Sequence, residues 1–157
     1  MKVLLATEKP FAAEAVSGIR DILEEAGHEL VLLEKYKTKE ELLAAVADVD
    51  AMIIRSDKVT AEVVEAAKQL KLVVRAGAGY DNVDLKACTE RNIVVMNTPG
   101  QNSNAVAELA IGMMIYMSRN CFNPGTGSEL SGKRLGIIGF GNIGQLVAKK
   151  AVALGMD

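Results

Sequence analysis

Six short runs rich in Val, Ile and Leu recur along the chain: Val3 to Ala6, Leu30 to Leu33, Ala51 to Ile54, Leu72 to Val74, Ile93 to Met96 and Leu135 to Ile138. Each is followed by a segment with helical spacing. Runs that are apolar throughout, rather than alternating, suit strands covered on both faces, so the pattern predicts a mostly parallel sheet with helices packed on it. Between the first two runs, Phe11 to Ala26 turns Ala15, Ile19, Ile22 and Leu23 to one side and stops at Gly27, a residue suited to a helix C-terminus. Thr60 stands as the N-cap of the third helix, with Val63, Val64 and Ala67 facing inward.

The pattern changes after the fifth run. Asn97-Thr98-Pro99-Gly100 punctuates the chain, and Val106 to Met117 reads as a long helix that is apolar almost all round, which calls for burial between layers or between subunits. Asn120 to Gly132, with Pro124, Gly125, Gly127 and Gly132, is the best linker candidate. The expectation is therefore an α/β chain: a flavodoxin-like parallel sheet covered by helices over residues 1–98, a bridging helix and linker over 99–132, and the first strand and helix of a Rossmann unit over 133–157.

Composition narrows the partners. Half of the 157 residues are apolar and 24% are charged, ordinary for a folded chain, and the formal charge of −2 gives no broad basic surface for nucleic acid or anionic lipid. No apolar run approaches membrane-spanning length, and Met1-Lys2 leads directly into the first strand with no signal-peptide pattern. A cytoplasmic location is expected. The two cysteines, Cys88 and Cys121, and the one histidine, His28, form no metal-ligand spacing, so two free thiols and no metal are expected.

One motif carries chemistry openly. Gly139-Phe-Gly141-Asn142-Ile143-Gly144 has the spacing Gly-x-Gly-x-x-Gly and lies between an expected strand and an expected helix. Gly139 permits the tight turn, Gly141 lets backbone approach a pyrophosphate, and Gly144 permits close packing of the helix. The helix N-terminus offers unpaired N–H groups and partial positive charge to phosphate oxygens. A dinucleotide unit also places an acidic residue about 20 positions further on for the adenosine ribose. Asp157 falls where that next strand would only be starting, so it is not read as that ligand, and the choice between NAD and NADP stays open. Gly127-Ser-Glu-Leu-Ser-Gly132-Lys133-Arg134 approaches a P-loop, but Arg134 stands where Ser or Thr is required and the segment precedes a strand.

Ile53-Ile-Arg55-Ser56, Val74-Arg75-Ala-Gly77-Ala-Gly79-Tyr-Asp-Asn82-Val-Asp84, Val95-Met-Asn97-Thr-Pro-Gly100-Gln-Asn102, Ala107-Glu108-Leu109 and the glycine loop occur in this order. Together they resemble the D-isomer-specific 2-hydroxyacid dehydrogenases, over essentially the whole chain. The resemblance implies NAD as cofactor and a phosphorylated 2-hydroxy acid as substrate. It implies that Arg55 and Ser56 bind the substrate's phosphate, for which a guanidinium fork and a hydroxyl are suitable donors. It implies that Gly77, Ala78 and Gly79 present backbone N–H groups to the substrate carboxylate, with Ala78 also near the nicotinamide. A strand-end turn needing positive φ is the structural alternative for these glycines. Asn102 is implied as a further substrate contact, with helix N-capping as its alternative. Gly139, Gly141, Asn142, Ile143 and Gly144 would hold the cofactor.

The family's acid/base histidine, its carboxylate partner and its orienting arginine lie beyond the glycine loop, and His28 stands in the wrong place to replace the histidine. No catalytic residue is therefore assigned, and the chain is read as the front portion of such an enzyme, inactive alone, with weak or no NAD binding. The competing reading is a flavodoxin-like phosphate- or nucleotide-binding module without chemistry. A receiver-type signalling domain fits less well, because Arg55 occupies the strand end that needs a phosphoacceptor Asp. Exposed apolar surface on the last strand and on the long helix predicts a homodimer, or a monomer in which the last strand and helix join the first sheet.

Overall fold

A computed structural model describes residues 1–157, which form two compact units, Met1–Pro99 and Gly100–Asp157. The first unit alternates strand and helix throughout: β1 (Lys2–Thr7), α1 (Ala13–Glu25), β2 (Glu29–Glu34), α2 (Lys39–Ala45), β3 (Ala51–Ile54), α3 (Ala61–Ala66), β4 (Leu72–Arg75), α4 (Leu85–Glu90) and β5 (Val94–Asn97). All neighbouring strands are parallel, in the order β2-β1-β3-β4-β5. Each of the first five apolar runs forms one of these strands, so the chain is an α/β protein of the expected class.

The central strands carry the core. On one face Leu4, Ala6, Met52, Ile54 and Val73 pack with Leu42 and Val46 of the α2 region, Val63, Val64 and Ala67 of α3, and Cys88 of α4. Burial on both faces holds for β1 and most of β3. It fails at the edges: Leu32 of β2 and Val94 and Met96 of β5 are exposed, because the continuous runs predicted cover that this unit does not supply there. The first helix differs in the same way. Ile19 and Leu23 are half-buried, but Ala15 and Ile22 are exposed and α1 has no fully buried residue.

Helix ends follow local chemistry. Gly27, at φ +72°, closes α1 with paired bonds from its own N–H to the Glu24 carbonyl and from the His28 N–H to Leu23. A Thr38–Glu41 capping box starts α2, and Asp84 caps α4 through the Ala87 N–H. Thr60 and Asn102 stand at N-cap positions as expected, but neither side chain makes the capping bond.

At the opposite end of the sheet from the strand C-termini, Asp50 accepts from the Lys71 ammonium at 2.7 Å and the Lys2 backbone N–H at 2.9 Å. The Lys71 bond foremost, then the Lys2 bond, holds its carboxyl below the ordinary carboxylate value. The resulting stabilisation is present above the unfolded pKa of about 4 and is lost as pH falls through the lower folded value. Lys71→Met is expected to raise the Asp50 titration midpoint, followed by carboxyl carbon NMR; an unmoved midpoint would remove Lys71 as the cause.

The second unit contains α5 (Ser103–Ser118), a 3-10 turn at Asn120–Phe122 and α6 (Asn142–Ala153). Ala107 and Ile111 of α5 pack with Val147 and Ala151 of α6 and with Met156. The expected burial of α5 on nearly all sides is not found within this unit. One helix covers only one stripe, and Leu109, Met113 and Met117 are 65%, 59% and 67% exposed.

The run Leu135 to Ile138 forms no strand. A strand needs a partner ladder, and here only its first rungs exist: the Leu135 N–H donates to Asp157 and the Asp157 N–H donates to Lys133. The alternative in which this segment and the last helix join the first sheet is also set aside. That sheet holds only β1 to β5, and α6 packs on α5. No helix is long and apolar enough to cross a membrane.

Candidate functional site

Parallel pairing brings the C-terminal ends of β3 and β4 side by side, with Ile54 opposite Arg75. Beyond the strands the two loops remain tied. The Ala76 N–H donates to Ile54, and a further parallel bridge joins Val59 to Val83, made by the Val59 N–H to Asn82 and the Asp84 N–H to Val59. Arg55 and Ser56 leave β3 at this edge, both exposed. The Arg55 guanidinium and the Ser56 hydroxyl make no hydrogen bond, and Arg55 makes no ion pair, so both face outward as unengaged donors.

The glycine-rich loop after β4 is built differently from its sequence alternative. Neither Gly77 nor Gly79 has positive φ, so positive φ does not explain these glycines. The constraint at Gly77 is space: a Cβ there would lie 1.7 Å from Nη1 of Arg75. The Arg75 side chain crosses Gly77 and donates from Nε to the Arg55 carbonyl at 2.8 Å, joining the two loops. The N–H of Gly77 is engaged, donating to the Arg75 carbonyl at 2.8 Å, and its carbonyl accepts from Thr98. The N–H groups of Ala78 and Gly79 have no protein acceptor. Of the three expected donors, two remain open, and Asn97 steadies them by donating to the Ala78 carbonyl at 2.7 Å.

Sequence reasoning missed the residue on which these loops converge. Asp57 is 6% exposed, accepts from the Glu8 N–H and the Tyr36 hydroxyl, both at 2.8 Å, and receives the Asn82 amide on its carbonyl at 2.7 Å. Burial foremost, then the bond to Asp57, pushes the Tyr36 hydroxyl pKa up, so it remains a protonated donor. No periodicity in the sequence marks Asp57 as buried. Beside it opens a cleft of about 470 Å³ that Ser56, Thr60, Lys37 and Lys58 help to line. His28 lies at the far edge, its Nδ1 3.3 Å from the N-terminal amino group.

Within the second unit, Gly139 adopts φ +91°, which makes the turn that only glycine takes readily. A Cβ at Gly144 would stand 2.3 Å from the Gly139 carbonyl oxygen, so the helix start packs directly on the loop. A Cβ at Gly141 would meet nothing within 4 Å, and α6 begins at Asn142 with no side chain capping it. The loop thus keeps open space beside unpaired helix N–H groups, as a phosphate requires. Asn142 and Ile143 are both exposed in this first turn. Asn102 is exposed at the start of α5.

The family model for the D-isomer specific 2-hydroxyacid dehydrogenase catalytic domain matches residues 7–153. This chain belongs to that family. Among its relatives, D-3-phosphoglycerate dehydrogenase of Methanocaldococcus jannaschii is 44% identical over 150 residues, covering 87% of this chain and 28% of the relative. Hydroxypyruvate reductase of Thermotoga maritima is 44% identical over 142 residues, covering 82% of this chain and 46% of that protein. In three dimensions, the NAD-bound 3-phosphoglycerate dehydrogenase of Entamoeba histolytica superposes with a TM-score of 0.94 at 55% identity, over all of this chain and 52% of that one. An NAD-dependent formate dehydrogenase of Staphylococcus aureus, solved with NAD, superposes with a TM-score of 0.83 at 33% identity, over 99% of this chain and 54% of that one. This dehydrogenase-family chain therefore spans about half the length of the solved structures it matches, and less of the curated relatives.

Proposed function

We propose that the chain supplies the substrate rim and the opening of the cofactor site of an NAD-dependent D-3-phosphoglycerate dehydrogenase, which moves a hydride between 3-phosphoglycerate and NAD. In this reading residues 1–98 bind substrate, 99–132 bridge, and 133–157 begin the NAD-binding domain. The observation that carries it is the rim itself: the unengaged Arg55 guanidinium and Ser56 hydroxyl beside the open N–H groups of Ala78 and Gly79. A guanidinium fork matches a phosphate, and paired N–H groups match a carboxylate. One substrate with an anion at each end uses both sets.

NAD, when bound, supplies the hydride acceptor. Gly139, Gly141, Asn142, Ile143 and Gly144 would hold its pyrophosphate, and the open space at Gly141 fits this role. The chain's own residues bind and orient substrate. With the single histidine at the far edge of the sheet, no side chain on the rim is assigned as the proton donor, and residues 1–157 alone are expected to produce no NADH. The exposed Leu109, Met113 and Met117 face of α5 supports a homodimer.

Calorimetric titration of the chain with 3-phosphoglycerate tests the reading. Removing a charged hydrogen bond typically costs 1.5–3 kcal/mol, so Arg55→Met is expected to weaken binding roughly ten- to hundredfold. A wild-type chain that binds no 3-phosphoglycerate, or an Arg55→Met chain that binds it equally well, would defeat the assignment.

A further inference from the structure

We infer that Asp57 is a positioning residue, whose buried carboxylate fixes the Arg55–Ser56 segment at the angle that receives an oxyanion. The inference rests on the reading of Arg55 and Ser56 as an anion rim and adds what holds that rim in place. Four strand ends meet at this residue. Oδ1 accepts from the Glu8 N–H after β1 and from the Tyr36 hydroxyl after β2, and Oδ2 accepts from the Arg55 N–H at 3.4 Å. The Asp57 carbonyl takes the Asn82 amide from the loop after β4, and the same amide reaches the Arg55 carbonyl at 3.5 Å.

A buried carboxylate is costly unless it is well bonded, and Asp57 makes no ion pair. Its compensation comes wholly from backbone and phenol donors, so folding the charge in requires these loops to close around it. The charge cannot assist an incoming anion directly, since like charges repel. Its value to the rim is therefore geometric. The Arg55 and Glu8 N–H groups are held, Ser56 lies between two fixed residues, and the Arg55 side chain stays unengaged.

Geometry and charge separate in two variants. Asp57→Asn keeps the acceptor shared by Glu8 and Tyr36, loses the one facing the Arg55 N–H and removes the charge, whereas Asp57→Ala removes every acceptor and the charge. Hydrogen exchange at the Glu8 and Arg55 amides reads the positioning without any ligand, and titration with inorganic phosphate and 3-phosphoglycerate reads its consequence. Asp57→Ala is expected to speed exchange at these two amides but not at Leu4 or Met52, and to weaken anion binding about tenfold, the loss expected for one charged hydrogen bond. Asp57→Asn is expected to keep slow exchange at the Glu8 amide, whose acceptor oxygen remains, to speed exchange at Arg55, whose acceptor becomes an NH2 group, and to bind the anions within threefold of the wild type. Unchanged exchange and affinity in Asp57→Ala, or an equal loss in Asp57→Asn, would overturn the inference. If the wild type binds neither anion, the functional reading fails while the exchange result still decides the role of Asp57. If Asp57→Ala does not fold, Asp57→Asn decides: wild-type affinity upholds the role, and a threefold or greater loss overturns it.

Discussion

Leu4→Ala is expected to destabilise the first unit by about 3 kcal/mol, within the range measured for leucines truncated in well-packed cores. Leu4 is fully buried, lies in the central strand β1, and pairs in register with Val31 of β2 and Met52 of β3. Its side chain joins the cluster that includes Met52, Ile54, Val63 and Val73, held by the sheet on one side and by helices on the other. Neighbours fixed by hydrogen-bonded ladders collapse poorly into a void, so the cavity term adds to the lost transfer free energy. Leu4→Met preserves volume and is expected to cost less than about 1.5 kcal/mol. Urea unfolding of the three chains gives both figures. Equal midpoints for Leu4→Ala and the wild type would mean that the face adapts freely, contrary to its packing.

The second large effect lies in the glycine loop and separates two glycines that the motif treats alike. Gly144→Ala would place a methyl group 2.3 Å from the Gly139 carbonyl oxygen and 3.3 Å from Ile137 Cγ2. The obstacle is backbone, not the tip of a flexible side chain, so the loop or the start of α6 must shift. Overpacking of this kind costs about 1–3 kcal/mol, set against the gain of up to about 1 kcal/mol from replacing glycine by alanine in a helix. The net expectation is a lower melting temperature for the second unit and displaced amide resonances from Ile137 to Gly144. Gly141→Ala meets open space and is expected to leave the melting temperature unchanged, while reducing any pyrophosphate binding, because the methyl group would fill the space that a phosphate needs. Identical melting curves for Gly144→Ala and Gly141→Ala would refute the steric distinction.

Much of this was legible in the sequence for local reasons. Apolar runs of three or four residues rich in Val, Ile and Leu and bounded by polar ones suit strands, and five such runs became five parallel strands. Gly27 ends α1 because the closing bonds require a left-handed residue there. The ordered motifs from Arg55 to Gly144 identified the family, since backbone close to a ligand tolerates few residue types. The errors also share a cause. Leu135 to Ile138 has strand composition but only the first rungs of a partner ladder, and Ile22, Leu109 and Met113 have core composition without a covering layer in their own unit. Hydropathy records what a segment is suited to bury; it does not supply the neighbour.

The site divides along the same line. The sequence by itself determined the α/β class, the family, the exposed Arg55–Ser56 pair at a strand end, and the turn at Gly139, because each depends on residues close together in the chain. Only the tertiary structure decided that Gly77 is small to let Arg75 pass, that its N–H is already engaged while those of Ala78 and Gly79 stay open, and that Asp57 is buried where four strand ends converge. Those facts depend on residues from Glu8 to Asn82, brought together by parallel crossovers. Pairing of that kind is fixed by the register of the sheet, and no local pattern of polar and apolar residues encodes it.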